Sequence, residues 1–394
     1  MISSPDGKTE YNLKRVTVPA IIRRSGVKIQ VPLGELSKKM NAISSVVPGK
    51  TTMPILSMVL VSADDTSITF SATDLDISVT SKVSGKVEDP GRIAVPAKKI
   101  AEIVKSLSGD EVTLGVEGEK LTIRCGKSRF SVNGRSAEDF PKMPRQESST
   151  EFEIQAPLLR KMIQKTIYAV STDLTRPALC GVLWEVDRNG LTMVSTDGHR
   201  LAKVEAKIDL KNVEKADVIV PPKALATFRS YSEGDEMIRV GLGDNSVSIE
   251  MNDVSIYSRL LEGPFPSYQK VIPASNKKAL VVTRDDLSAA TKRVSILSDA
   301  LTHQVVFSLD RDKLTLHVTT QDLGEAREEV TAAYADEPMD IGYNAAYIQD
   351  ILRTIEGDEI SFRLDRPDNA GMVTPVDEKG DLRQLCIVMP LRIN

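Results

Sequence analysis

Two spacings of apolar residues, one of period two and one of three to four, succeed each other along this chain in an order that is repeated three times. A strand-like run opens each repeat: VKIQVPL from Val27, FEIQAPL from Phe152 and ALVVTRDDL from Ala279. Each leads into a segment whose apolar residues recur three and four apart, which predicts an amphipathic helix. These residues are Leu33, Leu36, Met40 and Ile43 in the first repeat, Leu159, Met162, Ile163 and Ile167 in the second, and Leu287, Ala290, Val294 and Leu297 in the third. Alternation then takes over in SMVLVSADDTSITFSATDLDISVTSKV, GVLWEVDRNGLTMVSTDGHRLAKVEA and VVFSLDRDKLTLHVTT, around polar turns such as Asp64-Asp65 and Asn189-Gly190. That pattern predicts antiparallel meanders. A second helix is expected at roughly 97–107, 222–232 and 344–355, with Pro96 and Pro221 just before two of its starts. More strands close each unit.

Three punctuation marks confirm the period. Asp74, Asp197 and Asp322 each end a strand-like run, 123 and 125 residues apart. Gly109-Asp110, Gly234-Asp235 and Gly357-Asp358 follow the second helix at separations of 125 and 123, and Phe140-Pro141 precedes Phe265-Pro266 by 125. A period this long excludes a solenoid and implies three α+β domains, each with two helices and an antiparallel sheet. Polar linkers at RQESST (145–150) and ASNKK (274–278) set domains at 27–147, 151–274 and 278–394. Residues 1–26 are polar and basic without a clear period; a flexible extension, a misassigned start and a cloning remnant are all open readings.

The 394 residues exceed one compact core, and a composition of 41% hydrophobic and 27% charged residues is that of a globular protein. Cys125, Cys180 and Cys386 lie far apart, so neither a disulfide framework nor a zinc knuckle is expected, and a reducing cytoplasm fits. No apolar run approaches the roughly 18 residues needed to span a bilayer. The net charge of −4 gives no overall attraction to phosphate, so any nucleic-acid binding needs local segregation of charge. Segregation is present. The six predicted helices, 33–47, 97–107, 157–170, 222–232, 285–297 and 344–355, hold thirteen cations: Lys38, Lys39, Lys98, Lys99, Lys105, Arg160, Lys161, Lys165, Lys223, Arg229, Lys292, Arg293 and Arg353. Against them stand five anions, Glu35, Glu102, Asp285, Asp286 and Asp350, a surplus of eight that leaves −12 on everything else. A charge run on one helix is ordinarily a solvated face. The same bias across equivalent helices suggests one shared surface for a polyanion, held by phosphate attraction without base readout.

Catalytic chemistry is not visible. The three histidines, His199, His303 and His317, form no HExxH motif or ligand cluster, and there is no Gly-x-Ser-x-Gly elbow. Gly49-Lys50-Thr51 and Gly126-Lys127-Ser128 fail as phosphate loops because Ser44 and Leu121 occupy the position where a glycine is required. Trp184 reads as core, and His199 as a loop residue. No cofactor or metal is expected.

Four segments carry a resemblance to a known family: STDGHRLA (Ser195 to Ala202), FPSYQKVIP (Phe265 to Pro273), GYNAAYIQDIL (Gly342 to Leu352) and VMPLRI (Val388 to Ile393). Together with TTMPILSMVLV, ATDLDISV and TRPALCGVLWEV they resemble, in order from about Val27 to Ile393, the bacterial DNA polymerase III beta subunit, or sliding clamp, family. The resemblance implies three similar DNA clamp domains in a crescent, two crescents closing into a homodimeric ring, and double-stranded DNA threading a hole lined by helices. It implies no enzymatic activity, but an accessory role in the DNA polymerase III holoenzyme. The partners implied are the polymerase alpha subunit, the clamp loader, repair polymerases, and ligase or mismatch-repair factors, all through short linear motifs.

Residue by residue, the family's peptide pocket corresponds to Leu179, Thr196, Gly198, His199, Arg200, Leu201, Pro266, Lys270, Val271, Asn344, Tyr347, Val388, Met389, Pro390, Leu391 and Arg392. Leu179, Leu201, Val271, Val388, Met389 and Leu391 would make an apolar cleft, while Arg200 and Arg392 would meet peptide carboxylates or carbonyls. A plain seam between domains two and three would also explain these apolar residues. The family's ring joint places Lys127, Arg129 and Phe130 against Ile296, Leu297, Glu325, Glu328 and Glu329 of another subunit. The DNA-facing set is the thirteen helical cations with Lys50 and Arg176. Lys50 stands where many relatives have arginine, and Pro177 and Ala178 stand where some have tyrosines, so DNA contact there is less expected. Two other readings are a specialised paralogue or non-ring peptide-binding scaffold, and an enzyme built on Asp197, His199 and Arg200, which lack a second base or nucleophile.

Overall fold

Apolar spacing of three and four has produced helices where it predicts them. The computed structural model describes residues 27–144, 148–210, 213–378 and 380–393; the 1–26 segment, part of the RQESST linker and Asn394 lie outside the described residues. The helices are α1 (Leu33–Val46), α2 (Ala97–Ser106), α3 (Ala156–Thr166), α4 (Pro222–Tyr231), α5 (Arg284–Val294) and α6 (Ala345–Leu352). Buried positions in α1 (Leu33, Leu36, Lys39, Met40, Ala42, Ile43) recur 123 residues later in α3 as Ala156, Leu159, Met162, Ile163, Lys165 and Thr166. Leu287, Ala290, Thr291 and Val294 continue the pattern in α5. The helices expected to reach 170 and 297 instead tighten into 3-10 turns at Ile167–Ala169 and Ser295–Leu297. At the first of these, the Thr166 carbonyl accepts the Ser195 hydroxyl at 2.5 Å, and the chain turns away towards the neighbouring strand.

Three cores correspond to the three repeats. Phe70 and Ile100 centre the first, Trp184 and Phe228 the second, and Phe307, Tyr343 and Phe362 the third. Trp184 is fully buried, as its alternating strand implies. The strands, however, do not respect domain boundaries. A five-stranded sheet belongs to the first repeat alone, whereas an eight-stranded and a twelve-stranded sheet each run through two repeats. In the eight-stranded sheet Ile77–Val83 of the first domain pairs with Val254–Arg259 of the second, Val79 opposite Ile256. In the twelve-stranded sheet Arg200–Lys207 of the second domain pairs with Leu382–Val388 of the third, Ala202 opposite Cys386. Backbone hydrogen bonds therefore cross both boundaries.

The helices follow the sheets in one row. Helix α2 packs on α1, α1 on α4, and α5 on α6. Arg160 of α3 donates to the Ser232 and Gly234 carbonyls just past α4, at 3.0 and 2.7 Å, and Lys165 of α3 reaches the Thr354 carbonyl just past α6. The order is α2–α1–α4–α3–α6–α5. Two ends remain. On the strand side, among the described residues, Ser128–Asn133 pairs only with Lys120–Cys125, and Gly324–Ala333 meets Lys278–Thr283 only at Ala332 and Ala333. One open edge thus terminates the first repeat and another the third.

Because Ile256 is buried beside Val79 in a shared sheet, Ile256→Ala should cost about 2–5 kcal/mol and lower the urea midpoint of the first two domains together. Two well-separated transitions would contradict a common sheet.

Candidate functional site

The hairpin of STDGHRLA turns at Gly198, whose φ of +94° suits glycine, and the turn is built by one carboxylate. Asp197 accepts the backbone N–H groups of His199 and Arg200 at 2.8 and 2.9 Å, and Thr196 donates its hydroxyl to the Arg200 carbonyl at 2.6 Å. This turn receives the last strand of the chain: the Met389 N–H donates to the His199 carbonyl at 2.8 Å. Further on, Leu391 donates to the Gly342 carbonyl at 2.7 Å, and Gln304 donates to the Arg392 carbonyl at 2.9 Å. Gly342 has to be glycine for this approach, since a Cβ there would stand 2.8 Å from the Leu391 carbonyl oxygen. Asn344 caps α6 by accepting from the Ala346 and Tyr347 N–H groups, and so fixes the Tyr347 ring beside the turn.

Arg200 is the hub. Its Nε donates to Asp197 at 3.1 Å, its Nη1 to Asp350 at 2.6 Å and its Nη2 to the Tyr168 carbonyl at 2.8 Å. Its guanidinium carbon lies 4.4 Å from the Tyr347 ring centroid and 5.3 Å from that of Tyr168. Burial raises the Tyr347 hydroxyl above its ordinary range, with the Asp197 charge adding to it, and burial pushes Tyr168 well up. Arg200 therefore ties α6 and the third domain to the second; it is not free to meet a peptide carboxylate, as the sequence suggests. Asp197 is likewise consumed by the turn and by Arg200.

Beneath the turn lies a small apolar cluster of Leu183, Val194, Leu201, Ile219, Tyr268 and Ile387. Tyr268 pins the Pro266–Val271 segment to it, donating its hydroxyl to Glu185 at 2.5 Å. Leu201 and Val388 are 2% and 0% exposed, so they floor the groove instead of lining it, which corrects that part of the expectation. Leu179, 7% exposed, also sits low. The exposed apolar surface is Val271 at 55%, Met389 at 40% and Ile393 at 46%. Leu174, 84% exposed, stands on the loop that Arg176 hooks to the Asp197 carbonyl at 3.3 Å. Sequence reasoning missed Leu174, Tyr168 and Asp350; a buried arginine's need for a carboxylate is the signal that points to Asp350 in GYNAAYIQDIL. A hollow of about 490 Å³ opens elsewhere, among Ile154, Leu158, Met237 and Leu382.

The expected cationic surface is thinner than the count of charges implies. Lys39 is buried, bonded to Asp253 and the Lys82 carbonyl; Lys165 is buried, donating to the Thr354 carbonyl and Gln384 Oε1 at 2.6 Å. Neither can face DNA. Burial depresses both amines below the ordinary lysine range. Lys38 pairs with Glu233, Lys99 with Glu102, Lys161 with Glu356, Arg176 with Asp173, Lys223 with Asp74, Arg293 with Glu328 and Arg353 with Asp350. Arg160 is spent on carbonyls, as above. Lys50, Lys98, Lys105, Arg229 and Lys292 are exposed and make no ion pair among the described residues. Lys127, Arg129, Glu325 and Glu329 stand exposed along the two open strand edges, with Ile296 75% exposed near one of them.

Three repeats welded by shared sheets, with one row of helices and a groove on the second weld, define a three-domain DNA clamp. The chain belongs to the DNA polymerase III beta subunit family, the bacterial sliding clamps: its N-terminal, central and C-terminal domains match at residues 27–144, 153–267 and 269–392. It is 34% identical to the beta sliding clamp of Caulobacter vibrioides over 376 residues, covering 93% of this chain and 100% of that one. A Pseudomonas aeruginosa DnaN sliding clamp solved bound to griselimycin superposes with a TM-score of 0.88 at 31% identity, covering 93% of this chain and all of that one. The Bacillus subtilis clamp gives 0.88 at 27% identity, with 94% and 100% covered. The role is that of a sliding clamp, a non-catalytic processivity factor for replication.

Truncating Arg200 leaves the half-buried Asp197 without its cation and Asp350 with only Arg353, so Arg200→Ala should cost about 1–3 kcal/mol, read as a fall in urea midpoint. Lys165 predicts a pH effect. Its folded pKa is depressed, so below the ordinary lysine range the unfolded chain holds more protons and stability rises with pH. Stability measured from neutral to alkaline pH should lose this rise in Lys165→Met.

Proposed function

We propose that two copies of this chain, with domains at 27–147, 151–274 and 278–394, close head to tail into a ring around duplex DNA. The supporting observation is the pair of open edges at opposite ends of the molecule. The repeat relates Ser128–Asn133 to Val254–Arg259 and to Leu382–Val388, the strands that close the two internal boundaries. It relates Gly324–Ala333 to Ile77–Val83 and Arg200–Lys207, the strands they close upon. Carrying the register over sets Phe130 opposite Ala326 of a second copy and Lys127 opposite its Glu329, with Arg129 diagonal to Glu325 and Glu329. Strand pairing and the apolar contacts of Phe130, Ile296 and Leu297 dominate this joint, because exposed ion pairs add only about 0–1 kcal/mol each. Glu328, bonded to Arg293 of its own chain, is not free for the joint as the resemblance implied.

In the closed ring the helix row becomes continuous, and Lys98, Lys105, Arg229 and Lys292 line it, with Lys50 nearby. Few unpaired lysines and no base-reading aromatic suit weak, exchangeable phosphate contact, so the ring slides. The groove over Leu201 and Val388 takes short linear motifs of the polymerase alpha subunit, the clamp loader and repair factors. Val271, Met389 and Leu174 offer apolar contacts, and the backbone edge of Pro390–Arg392 offers hydrogen bonds. The protein serves the polymerase III holoenzyme in the cytoplasm without a cofactor.

Loaded protein should remain on nicked circular DNA through a high-salt wash and run off after linearisation; equal loss from both would overturn the ring. Met389→Ala should weaken a fluorescent clamp-binding peptide roughly tenfold, about 1.4 kcal/mol, with an unchanged melting temperature. Unchanged affinity would remove the pocket.

A further inference from the structure

The strand that opens each repeat is covered along its outer edge in the first and third repeats but not in the second. In the first, Lys86–Asp89 pairs with Lys28–Pro32, setting Lys86 opposite Gln30 and Val87 opposite Ile29. In the third, Ala333 and Ala332 lie opposite Val281 and Val282. In the second, Thr150–Gln155 stands last in the eight-stranded sheet and pairs, among the described residues, only with Met237–Leu242. One side chain accounts for the difference. The covering chain crosses at Gly85 in the first repeat and at Ala332 in the third. The meander registers, with Val83 opposite Ile68, Ala206 opposite Leu191 and Val330 opposite Leu314, make Ile208 their counterpart. Even a Cβ at Gly85 would run into the Gln30 carbonyl oxygen, so the branched side chain of Ile208 cannot make that crossing. Ile208 and Leu210 instead donate their N–H groups to the Asn189 and Arg188 carbonyls, at 3.1 Å each, and the chain folds back.

The space this leaves is the hollow of about 490 Å³ among Ile154, Leu158, Ile208, Met237 and Leu382. Ladder alternation turns the Glu151 and Glu153 N–H and C=O groups out of the sheet edge, because Ala156, in phase with Ile154 and Phe152, is the residue bonded to Glu236. We propose that this edge is a docking slot for an extended segment of another protein, which adds a strand to Thr150–Gln155 and sinks one apolar side chain into the hollow. Lys86–Asp89 is the template: Val87, opposite Ile29, packs on the first core, and its counterpart here is the incoming residue opposite Phe152. Charge selects the flanks. Glu151, Glu153 and Asp381 are exposed and make no ion pair among the described residues. Of the two lysines at the hollow, Lys161 is held by Glu356, which leaves Lys207 alone against three carboxylates. The incoming strand therefore carries Lys or Arg opposite Glu153 and Glu151, as Lys86 stands opposite Gln30. The slot is separate from the groove: Arg200 opposite Val388 and Ala206 opposite Leu382 put the two at opposite ends of one strand pair, roughly 20 Å apart. Both can be filled at once, and the slot needs neither the ring nor the groove.

Amide hydrogen exchange on the full chain tests the open edge. In the free protein the Glu153 amide should exchange at least about tenfold faster than that of Ile154. A Glu153 amide that is already protected means that a segment of this chain fills the edge, and overturns the proposal. The slot itself is probed with a fluorescent, end-capped peptide of alternating lysine and valine, about eight residues long. It should bind saturably below about 1 mM at low salt, slow exchange at Glu153, and bind roughly tenfold more weakly to Glu153→Lys, which should melt as the wild type does. Backbone pairing is read without any protein variant. Lysines opposite Glu153 and Glu151 turn their N–H groups towards the edge and the valines turn theirs away, so N-methylated lysines should abolish binding and N-methylated valines should leave it within about twofold. No saturable binding, or equal binding by the two methylated peptides, overturns the slot and leaves the ring and the groove as they stand.

Discussion

Backbone hydrogen bonding across domain boundaries is the constraint on which the rest depends. An exposed strand edge is a row of unsatisfied donors and acceptors, and this chain resolves two of its edges by running one domain's sheet into the next. That choice fixes the relative orientation of the domains and lines the helices up in a single row. It also leaves one edge at each end, and brings the STDGHRLA turn against the final strand, so the groove is a by-product of the second weld.

Charge plays a subtler part than its totals imply. The cations on the helices are in excess, yet Lys38, Lys39, Lys161, Lys223 and Arg293 are answered by acidic side chains from outside the helices: Glu233, Asp253, Glu356, Asp74 and Glu328. Several of these pairs bridge domains, so lysines that read as a phosphate surface serve as struts. What remains exposed and unpaired is sparse, which favours loose contact with a polyanion over tight binding.

The repeat and the helices were legible because each rests on local periodicity, which Leu36, Leu159 and Leu287 declare without help from the rest of the chain, whereas the sheets that cross the domain boundaries were not. The fates of Lys39, Lys165 and Arg200 were not legible. Their burial depends on which residues approach from another domain, Asp253, Gln384 and Asp350, and no local spacing records an approach across one to two hundred residues. The depth of Leu201 and Val388 was hidden for a similar reason: an apolar residue in an alternating strand reads alike whether it floors a groove or lines it. The groove's membership came from likeness to a family, and its geometry from the packing of Tyr268, Gly342 and Asn344.

The strand Leu382–Val388 leaves the ribosome nearly two hundred residues after Arg200–Lys207, the strand it must cover. Throughout that interval the Arg200–Lys207 edge of the middle domain's sheet has backbone N–H and C=O groups that await their partners. Covering the edge of the middle domain's sheet is therefore a long-range step of folding that waits for Leu382–Val388 to arrive.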